Sequence, residues 1–207
     1  MGHTVLPSES SAGQTASASA DQFNQDYYYG SIYQDYDTFL NWEKIATDIL
    51  QRFHFDSFLD IGCGCGNLVK IIKADKGADA DIAGVDFSEF AVARAAVPFV
   101  SVADCRALPF TDRRFDMVFI LGPFSYLASV SQVRKALREA YRVAKRVILF
   151  DDVYVWPAQT GDDYDPYRKQ VLTQSEWLAL WREVSVSDSR DEINTNGDEI
   201  IITKYGL

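Results

Sequence analysis

Short apolar runs alternate with helical patterns through the middle of the chain. SFLDI, residues 57–61, is followed by LVKIIKA, residues 68–74, whose apolar positions recur at helical spacing. The same order returns in DIAGVD, residues 81–86, and SEFAVARAAV, residues 88–97. Strands that alternate with helices in this way are typical of a parallel sheet with helices on both faces.

Later segments add strands to this sheet, and the last strands are expected to run in the opposite direction. Strands are predicted at 98–104, 114–122 and 146–152, and helices at 131–144 and 173–181. At the end of the chain, VSVSDSRDEI and DEIIITKY flank Asn196-Gly197, a pair that favours a two-residue hairpin. We therefore expect a seven-stranded, mostly parallel sheet with an antiparallel hairpin at its C-terminal end.

The composition of the chain limits the kinds of partner that it can bind. The chain has 207 residues, with 20 basic and 30 acidic side chains and a net charge of -10. This charge matches a phosphate backbone poorly, so a small-molecule partner is favoured over nucleic acid. Three cysteines and two histidines provide neither a disulfide framework nor a set of metal ligands, so no metal is expected.

The first 20 residues are rich in Ser, Ala and Gly, which predicts a flexible tail ahead of a single domain over 21–207. They lack the basic flank and apolar centre of a signal peptide, and no apolar run approaches the length of a membrane span. We expect a cytoplasmic protein without a membrane partner. The sequence leaves the oligomeric state open.

Three glycines stand at alternate positions in the turn after the first strand. The sequence there is FLDIGCGCGN, with Gly62, Gly64 and Gly66 following Asp60. The carboxyl ends of parallel strands open a ligand crevice, and glycine lets the backbone approach a ligand closely. A dinucleotide-binding turn would place a glycine at Asn67, so that a pyrophosphate could lie on the helix N-terminus. The turn departs from that pattern.

The sequence resembles the class I S-adenosylmethionine-dependent methyltransferases, in the small-molecule branch of the UbiE-like type. Their first motif is an acid followed by such a glycine turn, here DIGCGCG. Asp86 in GVDFS matches the acid that holds the ribose hydroxyls, and Asp104 in VADCRALPF matches an acid near the adenine. FDMVFILGPFSYL is similar to the fourth-strand motif. The resemblance covers the chain from about Tyr27 and implies a Rossmann-like fold with S-adenosylmethionine as cofactor.

These motifs imply specific contacts. Asp60 is expected to face the ammonium group, Asp86 to accept hydrogen bonds from the ribose, and backbone N–H groups around Gly62 to Gly66 to approach the methionine portion. The expected cofactor-binding residues are Tyr28, Tyr36, Asp60, Gly62, Cys63, Gly64, Gly66, Asp86, Phe87, Ser88, Asp104, Cys105, Arg106, Leu121 and Gly122.

A tyrosine-rich segment precedes the first strand, with Tyr27, Tyr28, Tyr29, Tyr33 and Tyr36 close together. In related small methyltransferases an N-terminal helix of this kind covers the cofactor, so the resemblance implies a helical lid at about 21–52. Tyrosine faces suit a sulfonium through a cation–π interaction. Packing of the rings on the core is the alternative interpretation.

The reaction implied by the resemblance is methyl transfer by in-line displacement, in which the enzyme aligns the acceptor and excludes water. Many relatives have a His where GPFSYL has Tyr126, which argues against proton transfer through a His. The expected catalytic residues are Tyr126, Asp152 and Tyr33. The segment 153–170 is long, aromatic and acidic, and is expected to cover the acceptor.

Three other functions stay open from the sequence. A non-catalytic partner protein that binds S-adenosylmethionine would carry the same motifs. An RNA methyltransferase would share the fold, although the acidic charge argues against it. An NAD-type oxidoreductase would share the sheet, but Asn67 breaks its glycine pattern.

Overall fold

The computed structural model describes residues 20–152, 165–185 and 190–205, which form a seven-stranded sheet and the helices around it. In chain order the strands are β1 (Ser57–Ile61), β2 (Asp81–Asp86), β3 (Val100–Val102), β4 (Phe115–Leu121), β5 (Ala144–Asp151), β6 (Glu192–Asn196) and β7 (Glu199–Thr203). They lie in the order β3-β2-β1-β4-β5-β7-β6. The first five strands run parallel, and β7 pairs antiparallel with β5 and β6. The predicted fold class is confirmed.

Helices connect these strands and precede the first of them. In the described residues they are α1 (Gln25–Tyr29), α2 (Tyr36–Phe39), α3 (Trp42–Arg52), α4 (Asn67–Lys76), α5 (Glu89–Ala95), α6 (Val130–Val143) and α7 (Gln174–Val184). None of these helices is both long and apolar enough to span a membrane.

The hydrophobic core has two parts, one on each side of the sheet. Successive side chains of a strand point to opposite faces. Leu59 and Val118 therefore pack with residues of α6 and α7, whereas Phe58 and Met117 pack with residues of α3 and α4. Burial on both faces explains why the run at β4 is apolar at nearly every position. The two parts of the core fix the carboxyl ends of the central strands at one edge.

The C-terminal boundaries differ from the prediction. A strand was expected from 184, but α7 continues to Val184, and β6 begins at Glu192; residues 186–189 lie outside the described residues. The helix extends because Thr173 and Glu176 form a capping box at its start and its apolar face is buried. Asn196 pairs with Glu199, so the turn residues are Gly197 and Asp198, one position later than expected.

Candidate functional site

The glycine turn between β1 and α4 is held closely against its neighbours. Gly62 and Gly64 have φ angles of +81° and +53°, in the left-handed region that favours glycine. A Cβ on Gly62 would lie 2.4 Å from the Pro123 side chain, and one on Gly64 would lie 2.5 Å from the Tyr36 hydroxyl. Both positions therefore need glycine for the backbone conformation and for the close approach of another segment.

The backbone N–H groups of all three glycines of this turn, and that of Cys63, form hydrogen bonds within the protein. Gly62 and Cys63 both donate to the carbonyl of Val85, at 2.8 and 3.0 Å, and Gly66 donates to the carbonyl of Cys63 at 2.9 Å. The expected approach of this backbone to the methionine portion stays a prediction, and these three N–H groups already have partners within the protein. The turn offers close backbone contact, whereas a pyrophosphate would require free N–H groups.

A cavity of about 310 Å³ lies beside this turn, at the carboxyl ends of β1, β2, β4 and β5. Gly62, Asp86 and Asp104 line what we term the cofactor side. Tyr126 and Arg168 line what we term the acceptor side, next to the end of β4. Parallel α/β sheets bind ligands at this edge, where neighbouring crossovers leave in opposite directions.

Asp86, the last residue of β2, organises the cofactor side. Its carboxylate accepts from the backbone N–H of Gly64 at 2.8 Å and from that of Ser88 at 2.8 Å. Desolvation nevertheless raises the pKa of Asp86 above its ordinary value. Asp104 differs, because Arg106 binds it in bidentate fashion at 2.6 to 3.0 Å and lowers its pKa.

Asp60 is a buried carboxyl, 4% exposed. Burial, and then the charge of Asp86, raise the pKa of Asp60 to about 8. Both of these causes raise the pKa, and neither is a hydrogen bond. Two such carboxylates at one turn favour a ligand that brings positive charge and hydroxyl groups. S-adenosylmethionine has both and carries no phosphate, so the residues present fit it better than they fit a dinucleotide.

The raised pKa predicts a pH-dependent loss of stability in the ligand-free protein. The carboxyl of an unfolded Asp has a pKa of about 3.9, whereas the pKa of Asp60 in the folded chain is raised to about 8. Stability attributable to this group is therefore present at low pH and is lost as the pH rises toward 8. We expect Asp60→Asn to raise Tm by at least about 3 °C at pH 8 and by less at pH 5, while weakening S-adenosylhomocysteine binding.

Asp75→Asn provides the control for this measurement, because Asp75 is an exposed acid on α4. Thermal unfolding of both variants at the two pH values separates a buried carboxyl from a general charge effect. A Tm gain for Asp60→Asn that is the same at pH 5 and pH 8 would contradict the assignment.

Aromatic residues of the N-terminal segment cover the cavity. Phe23, Tyr27 and Tyr28 are buried together with Cys65 and Ala91, and we call this group the aromatic lid cluster. The rings meet edge to face, for example Tyr28 and Tyr36 with centroids 4.9 Å apart. By contrast α3 belongs to the sheet's hydrophobic core. Of the residues of α3, Trp42 lines the cavity, whereas Ala46 and Ile49 pack in the core.

Hydroxyl groups from three segments meet on the acceptor side. The Tyr27 hydroxyl donates to that of Tyr126 at 2.7 Å, and the Tyr126 hydroxyl is 2.7 Å from the Asp165 carboxylate. Tyr33 is 3.4 Å from the Tyr126 hydroxyl, and Arg168 Nε donates to that hydroxyl at 3.3 Å. The N-terminal segment, the turn after β4 and residues 165–168 are thus joined at Tyr126.

The structure brings most of the predicted site residues to the cavity. Those that line it are Tyr28, Tyr33, Tyr36, Gly62, Asp86, Phe87, Asp104, Cys105, Arg106, Leu121, Gly122, Tyr126 and Asp152. Asp60, Cys63, Gly64, Gly66 and Ser88 lie behind the lining. Ser88 caps α5 and donates from its hydroxyl to the Phe23 carbonyl at 2.5 Å, so its contacts are structural.

Several residues at the cavity or its border were not among the predicted site residues. Phe23, Tyr27 and Arg168 line the cavity, and Asp165 lies against them. The tyrosine-rich segment and the segment 153–170 were both singled out, but neither pattern indicated which of their side chains meet. Residues 153–164 of the second segment lie outside the described residues.

Comparison with known proteins identifies the domain. Residues 58–146 match a family model described as a methyltransferase domain. Demethylmenaquinone methyltransferase of Symbiobacterium thermophilum is 33% identical over 117 residues, which cover 50% of this chain and 45% of that protein. Ubiquinone/menaquinone biosynthesis C-methyltransferase UbiE of Geotalea uraniireducens is 30% identical over 114 residues, 50% of this chain and 47% of that protein. The chain spans about half the length of the curated relatives it matches.

Solved structures share the fold. CalS10, an S-adenosylmethionine-bound amino pentose methyltransferase from Micromonospora echinaspora, is 17% identical with a TM-score of 0.62, over 82% of this chain and 94% of that one. A methyltransferase from Aquifex aeolicus gives a TM-score of 0.57 at 16% identity, over 88% of this chain and 94% of that one. Residues 58–146 therefore match the methyltransferase domain family, and the described sheet shares the fold of S-adenosylmethionine-dependent methyltransferases.

Proposed function

We propose that this protein transfers the methyl group of S-adenosylmethionine to a small-molecule acceptor and leaves S-adenosylhomocysteine. The observation that carries this proposal is the chemistry of the glycine turn, where Asp60 and Asp86 present carboxylates while neighbouring N–H groups are already bonded. A small acceptor is supported by the aromatic cover over the cavity and by the net charge of -10. The names of the relatives, which refer to quinones and to an amino sugar, support it as well.

The cofactor side provides a place for each part of S-adenosylmethionine, which when bound supplies a methyl group activated on a sulfonium sulfur. Asp86 accepts hydrogen bonds from the ribose hydroxyls. Asp60 lies behind the turn, where a bound ammonium or sulfonium group would lower its raised pKa and stabilise its ionised form as a countercharge. Asp104 and Phe87 border the adenine. Gly62 allows the backbone to contact the methionine portion.

The acceptor side provides a route for a proton. Burial raises the pKa of Tyr126, so its hydroxyl stays protonated unless a neighbouring group accepts its proton. A protonated acceptor that displaces the hydrogen bond from Tyr27 or Arg168 gives its proton to the Tyr126 oxygen, while the proton of Tyr126 passes to the Asp165 carboxylate 2.7 Å away. The Tyr33 hydroxyl lies 3.4 Å from that of Tyr126. Asp152 accepts from the backbone N–H of Phe124 at 3.2 Å, so its role in this scheme is to position the turn that carries Tyr126.

A binding and turnover experiment tests the proposed function. Calorimetry should show binding of S-adenosylmethionine and S-adenosylhomocysteine and no binding of NAD. Pools of small metabolites and bulk RNA are then screened for release of S-adenosylhomocysteine, which we expect only with a metabolite pool. With the acceptor so found, Tyr126→Phe should retain affinity for S-adenosylhomocysteine and lose at least about tenfold in kcat.

Each component of the proposal has an outcome that contradicts it. Tighter binding of NAD than of S-adenosylhomocysteine would overturn the cofactor. Turnover with RNA alone would overturn the small-molecule acceptor, and binding without turnover in any pool would favour a non-catalytic partner protein. An unchanged kcat in Tyr126→Phe would remove Tyr126 from the proton route.

A further inference from the structure

We infer that Arg168 binds a carboxylate group of the acceptor, and that the acceptor is an apolar or aromatic acid. This inference rests on the proposed function, because it concerns the second substrate of the same cavity. It is carried by the position of the guanidinium group, by its lack of a carboxylate partner and by the side chains around it.

The backbone fixes Arg168 at the cavity wall. The backbone N–H groups of Lys169 and Gln170 both donate to the carbonyl of Ser125, at 2.7 and 2.8 Å. This attaches the segment to the turn after β4. The Arg168 guanidinium lies over the ring of Tyr126, 5.7 Å from the ring centre, and its Nε donates to the Tyr126 hydroxyl. Arg168 is therefore oriented by its neighbours before any ligand binds.

The charge of this guanidinium is not neutralised by a described carboxylate. Arg106, which also lines the cavity, forms an ion pair of 2.6 Å with Asp104, whereas Arg168 has no ion pair in the described residues. Asp165 lies close enough to interact electrostatically, but its oxygens accept from the hydroxyls of Tyr27 and Tyr126 and from the Tyr167 N–H. A half-buried cation without a countercharge favours an anionic ligand.

The hydrogen bonds of Arg168 indicate which anion it binds. Nε is used by Tyr126, and no described acceptor bonds the two Nη groups. Two adjacent N–H groups in one plane match the two oxygens of a carboxylate. A carboxylate held there would lie beside the hydroxyl of Tyr126, within the same cavity as the cofactor side.

Apolar groups form one wall of the acceptor side, and Gln132, Asp151 and Asp152 are further polar residues of the cavity lining. Tyr33 joins Tyr126 through its hydroxyl and packs edge to face on Phe39 with centroids 4.4 Å apart. Leu40 and Leu127 complete this wall. An acceptor body that is apolar or aromatic gains burial here, while a highly hydroxylated one would leave its hydroxyls without partners on these side chains.

Asp151 supports a competing inference, because it also lines the cavity and would attract an amine. Burial, followed by the charges of Glu199 and Asp198, raises the pKa of Asp151 to about 6. Its carboxylate therefore already interacts with the acidic C-terminal hairpin, and no described hydrogen bond joins it to Tyr126. We favour recognition by Arg168, and the amine becomes one outcome of the test.

Matched probes test the inference on protein saturated with S-adenosylhomocysteine. We use 2-naphthoate, 2-naphthamide and 2-naphthylmethylamine, which share one aromatic body, together with benzoate and benzamide. Calorimetry should show that each acid binds at least about tenfold more tightly than its amide, as a charge-assisted bidentate contact implies. In Arg168→Met this preference should fall below about threefold, and Arg168→Lys should retain part of it.

Arg182→Met provides the matched control, because Arg182 is exposed on α7 and should leave the preference unchanged. Affinity for S-adenosylhomocysteine, measured first in every variant, distinguishes failure of the proposed function from failure of this inference. Equal binding of acid and amide, no measurable binding of either acid, tighter binding of the amine, or a preference that survives Arg168→Met would each overturn the inference.

Discussion

An Asp86→Ala variant is expected to bind S-adenosylhomocysteine at least about tenfold more weakly than the wild-type protein. A carboxylate has about four acceptor positions, and Asp86 uses two of them for the N–H groups of Gly64 and Ser88. The remaining positions suit the two ribose hydroxyls. Hydrogen bonds to a charged group contribute about 1.5 to 3 kcal/mol each, so the loss of even one such bond produces this change in affinity.

Two further variants separate this effect from a disturbed turn. Asp86→Asn keeps one acceptor oxygen and should lose less affinity than Asp86→Ala. Asp81→Ala, at the opposite end of β2, removes a carboxylate that is paired with Arg114 at 2.9 Å and should leave binding unchanged. Calorimetry on variants with wild-type circular dichroism provides the comparison. An unchanged affinity in folded Asp86→Ala would exclude Asp86 from the site.

The central part of the fold could be predicted from the sequence because its strands are buried on both faces. The runs at β1, β2 and β4 have apolar residues with few interruptions, and the glycines at 62 and 64 mark a turn where two other segments approach the backbone. Both signals are local in the sequence. Local signals also explain why β6 was predicted to begin too early. The residues before Glu192 alternate in polarity, which favours a strand, but the end of α7 extends into that run.

The acceptor side could not be predicted because it depends on tertiary contacts. Tyr27, Tyr126 and Asp165 are far apart in the sequence, and their hydroxyl and carboxylate groups meet only because the N-terminal segment folds over the ends of β4 and β5. The hydrogen bonds of the turn's N–H groups could not be predicted from the sequence either, because the Gly62 N–H donates to the carbonyl of Val85 on another strand. Ser88 has the right position for a cofactor contact, but its hydroxyl bonds Phe23.

The aromatic lid cluster is held to the domain by ring packing and by hydrogen bonds of Phe23 and Tyr27. Edge-to-face aromatic pairs contribute about 0.5 to 1.5 kcal/mol each beyond burial, and Tyr27 makes such contacts with Phe23, Tyr28 and Tyr33. The polar contacts at its outer edge, such as Arg94 with Asp37, are exposed to solvent and stabilise it little. A cover of this kind can open without breaking the sheet's own core.

Removal of residues 1–37 is expected to abolish measurable binding of S-adenosylhomocysteine, whereas removal of residues 1–19 should leave it unchanged. The longer deletion removes Phe23, Tyr28 and Tyr36, which line the cavity, and exposes the cofactor side to water. The shorter deletion retains all three. Calorimetry on both proteins, with circular dichroism to confirm folding, measures the difference. Tyr36→Ala offers a point variant for the same question, because Tyr36 lies directly on Gly64, and it should weaken binding by at least about tenfold.

Hydrogen exchange provides an independent measurement on the intact chain. If the aromatic lid cluster closes over bound cofactor, the amides of residues 23–39 should exchange more slowly when S-adenosylhomocysteine is added, because opening must then compete with binding. The amides of residues 136–143 of α6, whose apolar side chains pack in the core on one side of the sheet, serve as the internal control. Identical exchange of residues 23–39 with and without ligand, together with unchanged affinity in Tyr36→Ala, would show that these tyrosines only pack against the domain and do not close over the cofactor.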